Sequence, residues 1–248
     1  MSEIRAIVFD LFDTLVDLHF SRLPLLEYRG RQLPSTLRVQ HEAVEERGHA
    51  IEFDAYLESL TATDRGFRAS HLERGREVPT LVRFTRVVER LGIVDDELPR
   101  LLTDAHMGAI ESVAEAPDHH GGVLARLADR HPIGLCSNFT HADTALAILD
   151  RSDLRRYFSA LTISETVGMR KPRPEIFEHV AGALGVAPAH ILHVGDNLEA
   201  DVRGAASFGM QTAWIARRVR DPEKARADYD GPAPTRVLSD LSELLDLR

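Results

Sequence analysis

The sequence predicts an α/β protein: a doubly wound, Rossmann-like parallel sheet with an all-helical insertion after its first strand. Three observations predict this. An apolar run, Ile4–Phe9, ends on a carboxylate; roughly a hundred residues then show only helical periodicity; and from His119 helix and strand patterns alternate. Strands alternating with helices of this length imply right-handed crossovers between parallel neighbours.

Ile4–Phe9 reads as a short buried strand followed by Asp10 and Asp13. Residues three apart in a strand point to opposite faces, so these carboxylates converge only if the chain turns near Asp10. Phe53, Tyr56, Leu57 and Leu60 then mark one helix face. Leu81, Phe84, Val88 and Leu91 mark a second, with Gly92 placed to end that helix. Leu98, Leu101, Leu102, Ala105 and Ala109 form a third stripe, and a weaker one runs from Leu37 to Val44 after Pro34-Ser35. No strand pattern interrupts them, and Ala114–Asp118 reads as a linker. The expected division is a core, residues 1–17 and 117–248, and a helical module, residues 18–116.

The second part opens with a helix around Gly122–Arg130, then a strand at Pro132–Cys136. A helix with Ala142, Ala145, Leu146 and Leu149 on one face precedes a strand at Ala160–Ile163. A helix carrying Phe177, Val180, Ala181 and Leu184 leads to the strand Ile191–Val194. The next helix has Leu198, Val202 and Ala205 on one face and ends near Gly209, before the strand Gln211–Ile215. Val237-Leu238 and Leu241, Leu244, Leu245 suggest a last strand and helix.

Composition narrows the function. A net charge of −9 argues against a nucleic-acid partner, because counterion release needs clustered Lys and Arg. No apolar run approaches membrane-span length, and the start lacks a signal pattern, so no membrane and a cytoplasmic location are expected. The single Cys136 excludes an internal disulfide, and within Ile133–Cys136 it reads as a small core residue rather than a nucleophile.

In doubly wound sheets ligands bind beyond the carboxyl ends of the strands, near a topological switch point. The residues there are Asp10 with Asp13, Ser137-Asn138, Lys171, and Asp196 with Asp201. Each alone has an ordinary role: a turn for Ser137-Asn138, a loop cation for Lys171, a helix cap for Asp196 or Asn197. Together they make chemical sense. Asp10, Asp196 and Asp201 in one cleft need a compensating cation, and hard oxygen donors at an open site suit Mg²⁺ with a substrate phosphate. Lys171 adds positive charge, and the Ser137 hydroxyl can hold phosphoryl oxygens. His119-His120, His190 and His193 read as surface or structural residues.

Asp10-Leu11-Phe12-Asp13-Thr14, Ser137-Asn138, Lys171-Pro172 and Gly195–Asp201, in this order and spacing, resemble the haloacid dehalogenase superfamily of phosphohydrolases. The resemblance accommodates Ile4 to Ile215, and the helical module resembles that superfamily's C1-type cap. It implies Mg²⁺-dependent hydrolysis of a small-molecule phosphate monoester, of the sugar-phosphate or nucleotide class, with Asp10 as nucleophile forming an aspartyl-phosphate. By the same resemblance Asp13 is the acid and base, and Lys171 orients Asp10. Thr14, Ser137, Asn138 and Lys171 meet the phosphate. Asp10, the Asp13 carbonyl, Asp196 and Asp201, the last directly or through water, bind the metal. Phosphomutase, 2-haloacid dehalogenase and a non-catalytic phospho-accepting regulator are the alternatives. The superfamily's dehalogenases lack an acid at the position of Asp13, and a regulator that had lost turnover would be expected to have lost one of these charged groups. Arg22, Arg29, Arg31, Arg83 and Arg86 could meet a second anionic group on the substrate, although ordinary solvated charge is the favoured reading.

Overall fold

The computed structural model describes residues 2–247. By proximity the chain divides into two units: one holds the residues up to Asp17, Glu115–Phe139 and those from Leu149 on, the other Leu18–Ala114 and Thr140–Ile148. In chain order the elements begin with the strands β1 (Ala6–Phe9), β2 (Asp17–Leu18), β3 (Leu25–Tyr28) and β4 (Arg31–Pro34). The helices α1 (Leu37–Glu46), α2 (Phe53–Ser70), α3 (Thr80–Arg90) and α4 (Leu98–Ser112) follow. Then come β5 (Ala114–Glu115), α5 (His120–Ala128), β6 (Ile133–Ser137), α6 (Ala142–Arg151), β7 (Phe158–Ile163), α7 (Ser164–Val167) and α8 (Pro174–Leu184). The last are β8 (Ile191–Gly195), α9 (Gly204–Phe208), β9 (Gln211–Ile215), α10 (Pro222–Asp228) and β10 (Arg236–Leu238).

The first unit holds a six-stranded sheet in the order β10-β9-β8-β1-β6-β7, and all five neighbouring pairs are parallel. The chain builds outward from β1 through β6 to β7, then returns to the other side of β1 for β8, β9 and β10. The strand order therefore reverses at β1, where a doubly wound sheet places its ligand crevice. β1 is buried along its whole length, as a central parallel strand covered on both faces must be. Ala6, Val8, Cys136, Ala160 and Ile191 pack with Ile176, Phe177, Val180 and Ala181 of α8 and with Ala205 of α9. Cys136 is a buried free thiol, which burial pushes up to about 12.

In the second unit Val44, Tyr56, Leu60, Phe84, Val87, Val88, Leu98 and Leu102 form the core, joining α1 to α4. Two helix stripes are rotated from expectation. Leu81 and Leu101 are exposed, while Thr80, Val87, Thr103 and Met107 are buried in their place. A polar network crosses this core: the Tyr56 hydroxyl donates to Gln40 Oε1 at 2.8 Å, and Gln40 Nε2 donates to Thr36 Oγ1 at 2.8 Å. Gly92, in the left-handed region at φ 69°, follows the end of α3 as expected.

The unit is not all-helical. β3 and β4 form an antiparallel hairpin turned by Arg29 (φ 49°) and Gly30 (φ 72°), the positive pair that a tight hairpin turn requires. No strand pattern announces it, because β4 is exposed throughout and β3 buries no residue fully. Among the described residues no helix is long and apolar enough to cross a membrane.

Phe84 is fully buried at the centre of the second unit's core. Phe84→Ala is expected to cost about 3–5 kcal/mol, the usual range for truncating a buried aromatic. Denaturant melts check this; a loss below about 1 kcal/mol would mean that the site collapses freely around the void.

Candidate active site

Three strand ends and one loop converge in the first unit. β1 stops at Phe9, and the chain turns at once. The N–H groups of Leu15 and Val16 both donate to the Leu11 carbonyl, at 2.8 and 2.9 Å, closing a wide helical turn. Asp13 occupies the left-handed region at φ 56°, with its N–H on the Val16 carbonyl at 2.7 Å. This is the turn that Asp10 and Asp13 require if both are to face one reactant.

From β6 come Ser137 and Asn138. The Ser137 hydroxyl is buried and has no hydrogen-bond partner among the described residues, and the same holds for Thr14 Oγ1. Asn138, expected against phosphate, is used differently: its Nδ2 donates to the Lys171 carbonyl at 2.9 Å, and its Oδ1 accepts the Lys171 N–H at 2.7 Å. Both ends of its amide thus fix the Lys171 backbone. The Lys171 side chain is buried, with Nζ 2.6 Å from Asp10 Oδ1 and 2.7 Å from Asp201 Oδ1.

β8 ends at Gly195, followed by Asp196. Asn197 Oδ1 accepts from the N–H groups of Glu199 and Ala200, capping a π-type helical turn over Leu198–Arg203 that carries Asp201 inward. Asp201 Oδ2 accepts the Asn197 N–H at 3.0 Å. A Cβ on Gly195 would lie 2.2 Å from Asp201 Cγ, so only glycine lets this carboxylate approach the strand end. Trp214 Nε1 donates to the Asp196 carbonyl at 2.7 Å and fixes the loop from β9.

Burial pushes Asp10 up to about 6, with Lys171 opposing and Asp201 adding to the rise. Burial also disfavours charged Asp201, but Lys171 and the His193 hydrogen bond overcome it and hold Asp201 below the usual carboxylate range. The two acids share one ammonium yet move oppositely, because Asp201 has further donors in His193 and Asn197. For Lys171 burial works against the charge, and the two carboxylates outweigh it and raise it. Asp196 is pushed up to about 8 by burial and then by the charges of Asp10, Asp201 and Asp13. Among the described residues its carboxylate has no hydrogen bond or ion pair of its own.

Oxygen atoms of Asp10, Asp196 and Asp201 lie within 4.8 Å of one another. A hard divalent cation such as Mg²⁺ fits this all-oxygen donor set, and it would relieve the charge crowding at Asp196.

Three residues at the site are not assigned to it from the sequence, which reads His193 as surface or structural and passes over Arg217 and Arg218. His193 of β8 is fully buried, with Nε2 2.9 Å from Asp201 Oδ1. Arg217 and Arg218 follow the end of β9, where the strand-end rule could have found them. Arg217 pairs with Asp17, and Arg218 Nε lies 2.8 Å from Asp13 Oδ1. Of the arginines that could meet a second anionic group, Arg83 is bound to Asp64 at 2.6 and 2.7 Å and Arg86 to Glu89 at 2.9 Å, in line with the favoured reading as ordinary surface charge.

The haloacid dehalogenase-like hydrolase model matches residues 4–209, and the chain belongs to that family of hydrolases. Its relatives divide by reaction. The pyrimidine 5'-nucleotidase YjjG of Escherichia coli is 31% identical over 66% of this chain and 69% of its own length. The (S)-2-haloacid dehalogenase H-109 of Pseudomonas putida is 29% identical over 99% of this chain and 98% of its own. Among solved structures, the HAD-hydrolase YfnB of Bacillus subtilis, bound to magnesium, superposes with a TM-score of 0.59 at 22% identity, covering 98% of this chain and 97% of that one.

Asp196 links the site to stability. Its folded value, about 8, lies above the ordinary 3.8, so the folded state binds more protons between the two. Its contribution to stability is therefore present at low pH and lost as pH rises toward 8. In EDTA, the melting temperature of Asp196→Asn minus that of the wild type should increase from pH 5 to pH 8. Taking the difference cancels the histidines, which titrate in both proteins. A difference that stays constant over this range would show that Asp196 carries no excess charge stress.

Proposed function

We propose that this enzyme is a Mg²⁺-dependent phosphatase that hydrolyses a small-molecule phosphate monoester through an aspartyl-phosphate on Asp10. One observation carries the reading: a carboxylate cluster short of positive charge stands with two buried, unpartnered hydroxyls, Thr14 and Ser137. Hydroxyls donate to phosphoryl oxygens, and a phosphoryl group arriving with a divalent cation supplies both missing partners.

Asp10 is the nucleophile, its carboxylate held by Lys171 at the end of a rigid central strand. Its attack on phosphorus breaks the ester P–O bond, and the leaving oxygen takes a proton from Asp13. Asp13, now a carboxylate, removes a proton from the water that attacks the aspartyl-phosphate, releasing phosphate and regenerating Asp10. The ion pair with Arg218 must open before Asp13 can protonate the leaving oxygen. Thr14 and Ser137 hold phosphoryl oxygens, while Lys171 offsets the charge on the phosphoryl group and on Asp10. Asp10, Asp196, the Asp13 carbonyl and Asp201 would hold Mg²⁺, which would supply charge neutralisation and orientation of the phosphate. Residues 18–116 we assign as a C1-type cap that sets substrate choice. The nucleotidase relative supports the nucleotide side of the sugar-phosphate or nucleotide class.

The near full-length dehalogenase relative favours a second reading, displacement of halide from a 2-haloacid by Asp10. A departing halide needs no proton, so Asp13 would have no task as an acid, only as the base for the water that hydrolyses the ester left on Asp10. Asp10 and Asp201, two carboxylates sharing one lysine, would also disfavour the substrate carboxylate. The phosphatase reading therefore stands ahead of it.

A screen of phosphate esters alongside 2-chloropropionate separates the two. Phosphate release that stops in EDTA and returns with Mg²⁺ is expected, without halide release and without turnover by Asp10→Asn. Halide release indifferent to EDTA would reverse the assignment.

The role of Asp13 has its own test. In Asp13→Asn, an alkoxide leaving group should suffer on the order of 10²–10⁴-fold in the first step, while p-nitrophenyl phosphate, whose phenolate leaves without a proton, is partly spared. Phosphoenzyme should accumulate with the activated ester, because every substrate needs the base. Rapid-quench kinetics showing equal losses and no accumulation would assign Asp13 to loop structure alone.

A further inference from the structure

His193 sits where an apolar residue would be expected. It occupies the middle of β8, fully buried, on the face that carries Ile191 and Gly195. Its ring meets Phe177 edge-on, with centroids 5.4 Å apart, beside the cluster of Ala6, Val8, Ile176 and Val180. Among the described residues only one ring nitrogen has a partner: Nε2 lies 2.9 Å from Asp201 Oδ1, while Nδ1 is buried and unbonded. A carboxylate only accepts, so the proton is on Nε2 and donates to Asp201. A bare buried Nδ1 is costly, and a leucine here would avoid that cost. The donor at Nε2 is what an apolar residue could not supply.

Asp201 Oδ1 thus has two donors, His193 Nε2 and Lys171 Nζ, while Oδ2 takes the Asn197 N–H. The residue that places Lys171 against Asp10 is itself fixed from behind. We propose that His193 is a positioning residue: its Nε2–H fixes the Asp201 carboxylate, which sets Lys171 against Asp10. The proposal deepens the phosphatase reading for kinetics, yet its structural part stands apart from any substrate. Sequence periodicity hides the role, because His193 lies on the strand rather than after it and reaches Asp201 only through the gap left by Gly195.

Two substitutions separate donor from bulk. His193→Phe keeps a ring against Phe177 and removes the N–H, whereas His193→Gln places an amide N–H near the position of Nε2. With both variants folded by circular dichroism, His193→Phe should lose roughly 10–100-fold in kcat, the usual effect of removing an outer hydrogen-bond partner, while KM changes much less. His193→Gln should recover most of that loss. Wild-type kcat in His193→Phe, or equal losses in both variants, would overturn the proposal. Nitrogen-15 NMR of labelled histidine needs neither substrate nor metal: a proton on Nε2 is expected at His193. A neutral ring with its proton on Nδ1 would refute it. An inactive wild type that shows the Nε2 proton would fail the phosphatase reading and leave the His193–Asp201 hydrogen bond standing.

Discussion

The site depends on one buried ammonium. Lys171 Nζ lies between Asp10 Oδ1 and Asp201 Oδ1, and every other polar feature either places that group or answers the charge that it leaves unbalanced. Buried ion pairs contribute little net stability, because desolvation offsets much of the attraction. What this one provides is position. Asn138 fixes the Lys171 backbone, His193 and Asn197 fix Asp201, and β1 fixes Asp10. A single lysine cannot neutralise Asp10, Asp196 and Asp201 together, and the excess falls on Asp196.

The sheet supplies the rigidity. Its order reverses at β1, so the ends of β1, β6 and β8 lie side by side and point the same way. Asp10, Ser137 and Asp196 need no long loop to meet. Gly195 removes the one Cβ that would keep Asp201 away. A nucleophile, its orienting lysine and a cation-deficient carboxylate cluster thus follow from a short run of backbone at three adjacent strand ends.

Legibility tracked the physics. Strands buried on both faces, such as β1 and β8, are continuous apolar runs, and the charged residues that end them stand out. Their order and spacing point to Asp10, Ser137, Lys171, Asp196 and Asp201 as one site. The hairpin of β3 and β4 was invisible because exposed strands carry no alternation. Leu81 and Leu101 were misplaced because a helix face is chosen by its packing partners, and both stripes admit a rotation that buries Thr80 or Thr103. Asn138 is expected against the phosphate and instead binds the Lys171 backbone, because sequence does not say which partner its amide will take. His193 required knowing that the strand face it occupies is the face that Asp201 enters.

The central claim is that the carboxylate cluster is one cation short. Calorimetric titration of Mg²⁺ into the metal-free enzyme at pH 7, in two buffers of different ionisation enthalpy, tests it directly. Asp196 is pushed up to about 8, so it carries a proton at pH 7 that a bound divalent cation must displace. The account predicts binding with release of close to one proton, reduced toward zero in Asp196→Asn. Binding without proton release, or no binding, would contradict it.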